Sequence, residues 1–332
     1  MTPWLMSTVV AALVVALETA GPPRLLSDTG LGGSGIREFA PQYPLWSDGA
    51  RKSRWVLLPP GLTIDTTNAH DWTLPVGTRF WKEFRVNGRK TETRMIWQQS
   101  AERWVFASYA WNETGTEAAL APEDGMTIPA GGALDRPYRI PSVSDCQACH
   151  GVRHPRPLGF NALQLSVDRD PGAIHAEPAR PGLVTLDTLA AEGLFGSHAS
   201  AIDRRPRIRA SDPDARAALG YLMTNCGSCH DGSGDIATPG LAIRAVDLIR
   251  DGDAVARALV DLRTSWQRPG GTGSTVLVSS RAPHESAILL RMRSRRPSSQ
   301  MPPLATSVRD DEALAVIERW VEGLVSTNDS AR

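Results

Sequence analysis

The sequence predicts a multidomain protein in which an N-terminal all-β, sandwich-like domain is followed by an all-α domain. Three observations carry that expectation. Runs of alternating apolar and polar residues, separated by turn residues, crowd into positions 44–140. Pro and Gly dominate from Ala121 to Pro141 and again from Pro171 to Pro181, which marks loops. Beyond about position 206 the apolar spacing becomes helical, with capping residues ahead of it. A chain of 332 residues with 41 % hydrophobic content can build two or three packed units. Lys plus Arg number 36 and Asp plus Glu number 36, so no overall field points to nucleic acid or to an anionic membrane.

The expected division runs in order along the chain. Residues 1–20 read as a signal peptide or a short N-terminal anchor, because Leu5 to Leu17 is apolar yet too short to span a bilayer comfortably. Small residues and Gly21-Pro22-Pro23 follow, although no Lys or Arg precedes the run. This predicts an exported, periplasmic protein, with membrane proximity through that segment. Residues 21–43 contain TGLGGSG and read as a linker. In the β region, 44–140, lie seven of the ten tryptophans, expected to be core. Strands are expected over Lys52–Leu58, Arg79–Val86, Thr91–Trp97 and Trp104–Trp111. Asn87-Gly88 closes a hairpin, since both residues tolerate positive φ. The loop-rich stretch 141–205 holds one short helix capped by Thr185. In 206–328, Ser211 or Asp212 can cap one helix with Pro213 in its first turn, and Asp310 to Glu312 start another with Leu314, Ile317, Val321 and Leu324 on one face.

The chemistry concentrates in two short stretches, DCQACHG (Asp145–Gly151) and NCGSCHD (Asn225–Asp231). Each contains Cys-x-x-Cys-His, and together they use all 4 cysteines. A zinc ribbon brings its two cysteine pairs closer together than these. A thioredoxin-like pair needs a βαβ setting. Structural disulfides would leave His150 and His230 at the same offset without a reason. Covalent haem explains all three residues. Two thiols bond the porphyrin vinyl groups, and the adjacent imidazole supplies an axial nitrogen to iron. The motif therefore predicts two haem c groups. Cys146 and Cys149 would tether the first, with His150 as ligand; Cys226 and Cys229 the second, with His230. Met301 in QMPP is a candidate thioether ligand to iron, because Pro302 and Pro303 hold an extended loop where a core methionine would not lie.

At these residues the sequence resembles a known family. The helix before NCGSCH, the loop after it, QMPPLAT and the last amphipathic helix look like a small cytochrome c domain over about Ser211 to Leu324. That resemblance implies that the all-α domain is cytochrome c-like and that His230 and Met301 share one iron. It also suggests a helix crossing at Gly220 and Trp320, and a carbonyl of Pro239 on the second imidazole nitrogen of His230. The whole chain is similar to a family of bacterial diheme cytochromes, through YPLWSDGARKSRWVLLP, LPVGTRFWKEF, YRIPSVSDCQACHG, LGFNALQLS and ALGYLMTNCGSCH.

The second ligand of the first iron is less defined by sequence. His154 is too near His150 to cross the ring, and His198, Met95 and Met126 are alternatives; His175 is the expected ligand, from a loop able to fold back. Arg291, Arg293, Arg295 and Arg296 would form a basic rim that steers an acidic redox protein partner. The expected function is a diheme c-type cytochrome carrying single electrons. The alternative is a diheme peroxidase or oxidase with an open position at the first haem.

Overall fold

The structure is a computed structural model that describes residues 21–68, 72–132, 134–151, 156–200, 202–232, 240–271 and 275–324. The signal-peptide reading of 1–20, His154 and Pro239 lie outside the described residues, as does the side chain of His198.

Six strands form one antiparallel meander. They are β1 (Ile36–Glu38), β2 (Arg51–Leu57), β3 (Arg79–Val86), β4 (Arg89–Gln98), β5 (Trp104–Trp111) and β6 (Ala118–Leu120), hydrogen-bonded in that order. Asn87 and Gly88, with φ of 48° and 82°, close the β3–β4 hairpin. The register slips once, between Phe84 and Arg85. Strands β7 (Met126–Ile128) and β8 (Tyr138–Ile140) pair separately.

No second sheet packs on this one among the described residues, which corrects the expected sandwich. Alternation splits the sheet into two apolar faces. One carries Trp81, Met95, Trp97 and Tyr109 and is closed by Leu26 from a 3-10 turn, Leu26–Thr29. Trp81 Nε1 donates to Thr29 Oγ1 at 3.0 Å, so the segment expected as a linker is fastened to the sheet. The other face carries Val56 and Phe80 and meets Phe160, Leu165, Leu186 and Phe195 from the middle of the chain. A sheet covered on both sides by irregular chain needs no partner sheet to bury its faces.

The all-α expectation is also overturned. Six helices are described, and only 25 % of the described residues are helical. They are α1 (Val143–His150), α2 (Leu186–Ala191), α3 (Pro213–Asn225), α4 (Ala245–Leu259), α5 (Ala287–Arg293) and α6 (Asp311–Gly323). The capping signals do their local work. Asp212 accepts from Asp214 N and Ala215 N, and Asp310 accepts from Ala313 N. What fails is the inference that these helices close a core among themselves. Their core includes Tyr43, Leu163 and Ile174, which arrive from the first half of the chain.

That borrowed packing positions the site. Gly220 on α3 leaves room for Tyr43: a Cβ there would lie 2.1 Å from the tyrosine ring. The helix α3 does pack on α6, where Trp320 is buried, but the glycine's open side belongs to Tyr43. Tyr43 N donates to Gln164 Oε1 at 2.9 Å, and the Tyr43 carbonyl accepts from Thr224 Oγ1 at 3.0 Å. Trp46 N donates to Asn225 Oδ1 at 2.9 Å. Residues 43–46 thus stitch the end of α3, immediately before Cys226, to the β region.

Candidate functional site

The first Cys-x-x-Cys-His lies on α1. Ser142 opens this helix with a capping box, its hydroxyl accepting from Asp145 N at 3.0 Å while Asp145 Oδ2 accepts from Ser142 N at 3.0 Å. The second motif begins at the C-cap of α3 and continues as a turn, with His230 N donating to the Cys226 carbonyl at 2.9 Å. Both motifs line one cavity of about 220 Å³, set within about 1980 Å³ of space not filled by protein atoms that includes its open mouth. One wall is the sheet face bearing Phe80, Ile96 and Phe106; the other comes from α5 and the loop 301–306. Met301 sits in that loop and faces the cavity.

The two motifs touch. Cys229 Sγ donates to the carbonyl of Ala148 at 3.8 Å, which sets it beside Cys149. The interaction between the two neighbouring thiols lowers Cys229 and raises Cys149. Burial raises Cys226 to about 12 and raises Cys146 as well. All four cysteines are free thiols. Among the described residues, no group of three or more His, Cys, Asp or Glu side chains converges to cage a bare metal ion.

The histidines are prepared as single-nitrogen donors. His150 Nδ1 lies 2.8 Å from the carbonyl oxygen of Arg156. A carbonyl can only accept, so Nδ1 carries the proton and Nε2 keeps its lone pair. Phe106 packs against the ring, with centroids 5.7 Å apart. Burial lowers His150 to about 4, which keeps the imidazole neutral near pH 7. His230 is lowered too, by burial and then by Arg291. Its Nδ1 is buried with no partner among the described residues.

Other expected residues are placed differently. His175 is not brought to the cavity; its Nε2 is 2.9 Å from both oxygens of Asp310 and its Nδ1 is 3.3 Å from Glu312, at the start of α6. Met95 packs its side chain with the far face of the sheet and also lines the cavity, whereas Met126 is 37 % exposed on β7. The expected basic rim is largely engaged. Arg291 lines the cavity with its guanidinium 5.5 Å from the Trp266 ring centroid. Arg293 pairs with Glu318, and Arg295 donates to the Met292 carbonyl. Arg296 remains exposed.

Sequence reasoning missed three cations on the cavity wall: Arg54 on β2, Lys82 on β3 and Arg94 on β4. The sequence shows a basic residue near the middle of each strand, in KSRW, FWKEF and TETRM, but only the register sets the three side by side.

No protein family, curated protein or solved structure matches the chain.

A porphyrin brings its own equatorial nitrogens and asks of the protein only tethers, axial donors and an apolar wall. The residues present fit that demand. Two thiol pairs, two imidazoles and the Met301 thioether share a cavity walled mainly by apolar side chains. One imidazole is already held by a carbonyl on its far nitrogen, the usual way to orient a ligand and raise its basicity.

Proposed function

We propose that this chain is a c-type diheme protein that passes single electrons between redox partners outside the cytoplasm. One observation supports the reading most: both Cys-x-x-Cys-His segments, far apart in sequence, open into one cavity together with Met301. The term c-type refers to thioether attachment and requires no all-α domain. Haem supplies a one-electron ferric–ferrous couple when bound.

The chain's own residues do the rest. Cys146 and Cys149 tether one group, and Cys226 and Cys229 the other. His150 offers Nε2 because Arg156 occupies Nδ1. His230 offers the corresponding nitrogen at the second motif, and Met301 supplies a soft donor that favours the reduced state relative to a second imidazole. Phe80, Ile96 and Phe106 exclude water from the sheet side. The contact of Cys229 with the Ala148 carbonyl brings the two motifs together, so the two groups would lie close to each other. The exposed Arg296, between α5 and Met301, leaves a small positive feature for an acidic partner.

The competing reading is a peroxidase or oxidase. Besides His150 and His230, no imidazole lines the cavity among the described residues, which would leave the first iron accessible to a small molecule. Electron paramagnetic resonance of the oxidised protein separates the two. Two low-spin ferric signals are expected of the carrier; a high-spin signal from the first centre would favour the enzyme. Met301→Ala should keep both haems attached and lower one midpoint potential by roughly 0.1–0.2 V, a fraction of the ~0.8 V that axial ligands span. An unchanged potential would remove Met301 from the iron.

A further inference from the structure

We propose that Arg54 and Lys82, backed by Arg94, form a receiving site for a propionate carboxylate of the first haem; the assignment rests on the diheme reading above. The three cations are direct cross-strand neighbours: Arg54 pairs with Lys82, and Lys82 with Arg94, in the β2–β3–β4 register. Period-two alternation puts them on the same face as Val56, Phe80 and Ile96, and all three line the cavity. Like charges directly opposite one another weaken a sheet, so a row of three at its centre is not there for stability.

Two of the three have protein carboxylates. Arg94 donates from Nε and Nη2 to both oxygens of Glu92, at 2.7 and 2.9 Å. Arg54 donates from Nη1 to Glu177 at 2.7 Å. Arg54 is nevertheless only 4 % exposed, and its Nη2 is buried with no hydrogen-bond partner. Among the described residues Lys82 has no hydrogen bond or ion pair; its Nζ lies 5.2 Å from the Phe84 ring centroid. A buried guanidinium nitrogen and an ammonium, both without an acceptor, share one wall. Such orphaned donors cost stability unless a ligand supplies the oxygens.

The ligand's chemistry follows from what stands opposite. Cys146 and His150 on α1 line the same cavity as this row of cations. A group held by α1 would share that space with all three. Haem carries two carboxylates, and a planar acid fits a guanidinium edge beside an ammonium. Burial and the neighbouring cations lower Lys82 well below the usual lysine range. A carboxylate in the site reverses that, holding the ammonium charged.

The test uses full-length holoprotein, with haem counted first by pyridine haemochrome. No haem in the unmodified protein would end the diheme reading itself. With two haems present, Lys82→Gln should shift the propionate-bending band of one haem in resonance Raman. It should also lower that haem's potential by about 59 mV, equivalent to tenfold in the redox equilibrium. Lys82→Arg should restore both. If Lys82→Gln yields no holoprotein, Arg54→Gln, which removes the guanidinium and its charge, carries the same test. Two haems with unchanged band and potential would overturn the assignment while leaving the diheme reading intact. Conversion of the first haem to high-spin in Lys82→Gln would make Lys82 an iron ligand and overturn it equally. Acetate titrated into the unmodified protein distinguishes the source of the carboxylate. No spectral change is expected; a saturable shift would mean that the site takes a free anion instead.

Discussion

Gly220 shows how much one missing methyl group decides. In an exposed helix, replacing glycine by alanine gains about 1 kcal/mol. Here the added Cβ would fall 2.1 Å from the ring of Tyr43, whose carbonyl and amide are fixed by Thr224 and Gln164. Overpacking of this kind costs about 1–3 kcal/mol and outweighs the propensity gain. Gly220→Ala should therefore lower the melting temperature of the purified protein by several degrees; a rise would mean that the Tyr43 contact is dispensable. The glycine was visible in the sequence as an oddity of a good helix. Its partner was not, because Tyr43 lies far upstream and nothing local links the two. His175 is a parallel case. A lone loop histidine reads as free to reach iron, yet Asp310 and Glu312, 135 residues away in the first case, hold both of its nitrogens.

Elements were legible where the signal is local. Asn87-Gly88 marks the hairpin because few other pairs accept its backbone. Asp212-Pro213 and Asp310 mark the starts of α3 and α6 because their side chains satisfy free amide groups. The helix α1 is shorter than an isolated peptide helix can be, and it buries no residue of its own. Its order depends on the capping box from Ser142 and Asp145 and on what its cysteines hold. Ser142→Ala removes the acceptor for Asp145 N and should cost about 1 kcal/mol in thermal unfolding of the purified protein. A change of less than about 0.3 kcal/mol would show that the tertiary setting alone orders this turn. The cation row was not legible. Each of Arg54, Lys82 and Arg94 looks like an ordinary strand residue until the register sets them side by side.

The molecule as a whole departs from the expected beads on a string. A β domain and an all-α domain were anticipated because each half shows its own periodicity. Periodicity reports which face of an element is apolar but not what covers it. Irregular chain from 160–202 covers the sheet, and residues 43–46 complete the helical core. This interleaving brings α1 and the end of α3 together, so the two Cys-x-x-Cys-His segments meet where Cys229 reaches the Ala148 carbonyl. The central claim is that this shared cavity holds two covalently tethered haems. Intact mass of the protein, exported from a bacterium able to attach haem and then denatured, tests it most directly. The account predicts the polypeptide plus two haem groups, reduced to one when Cys146 and Cys149 are both replaced by serine. A bare polypeptide, with four free thiols or with Cys149 joined to Cys229, would contradict it.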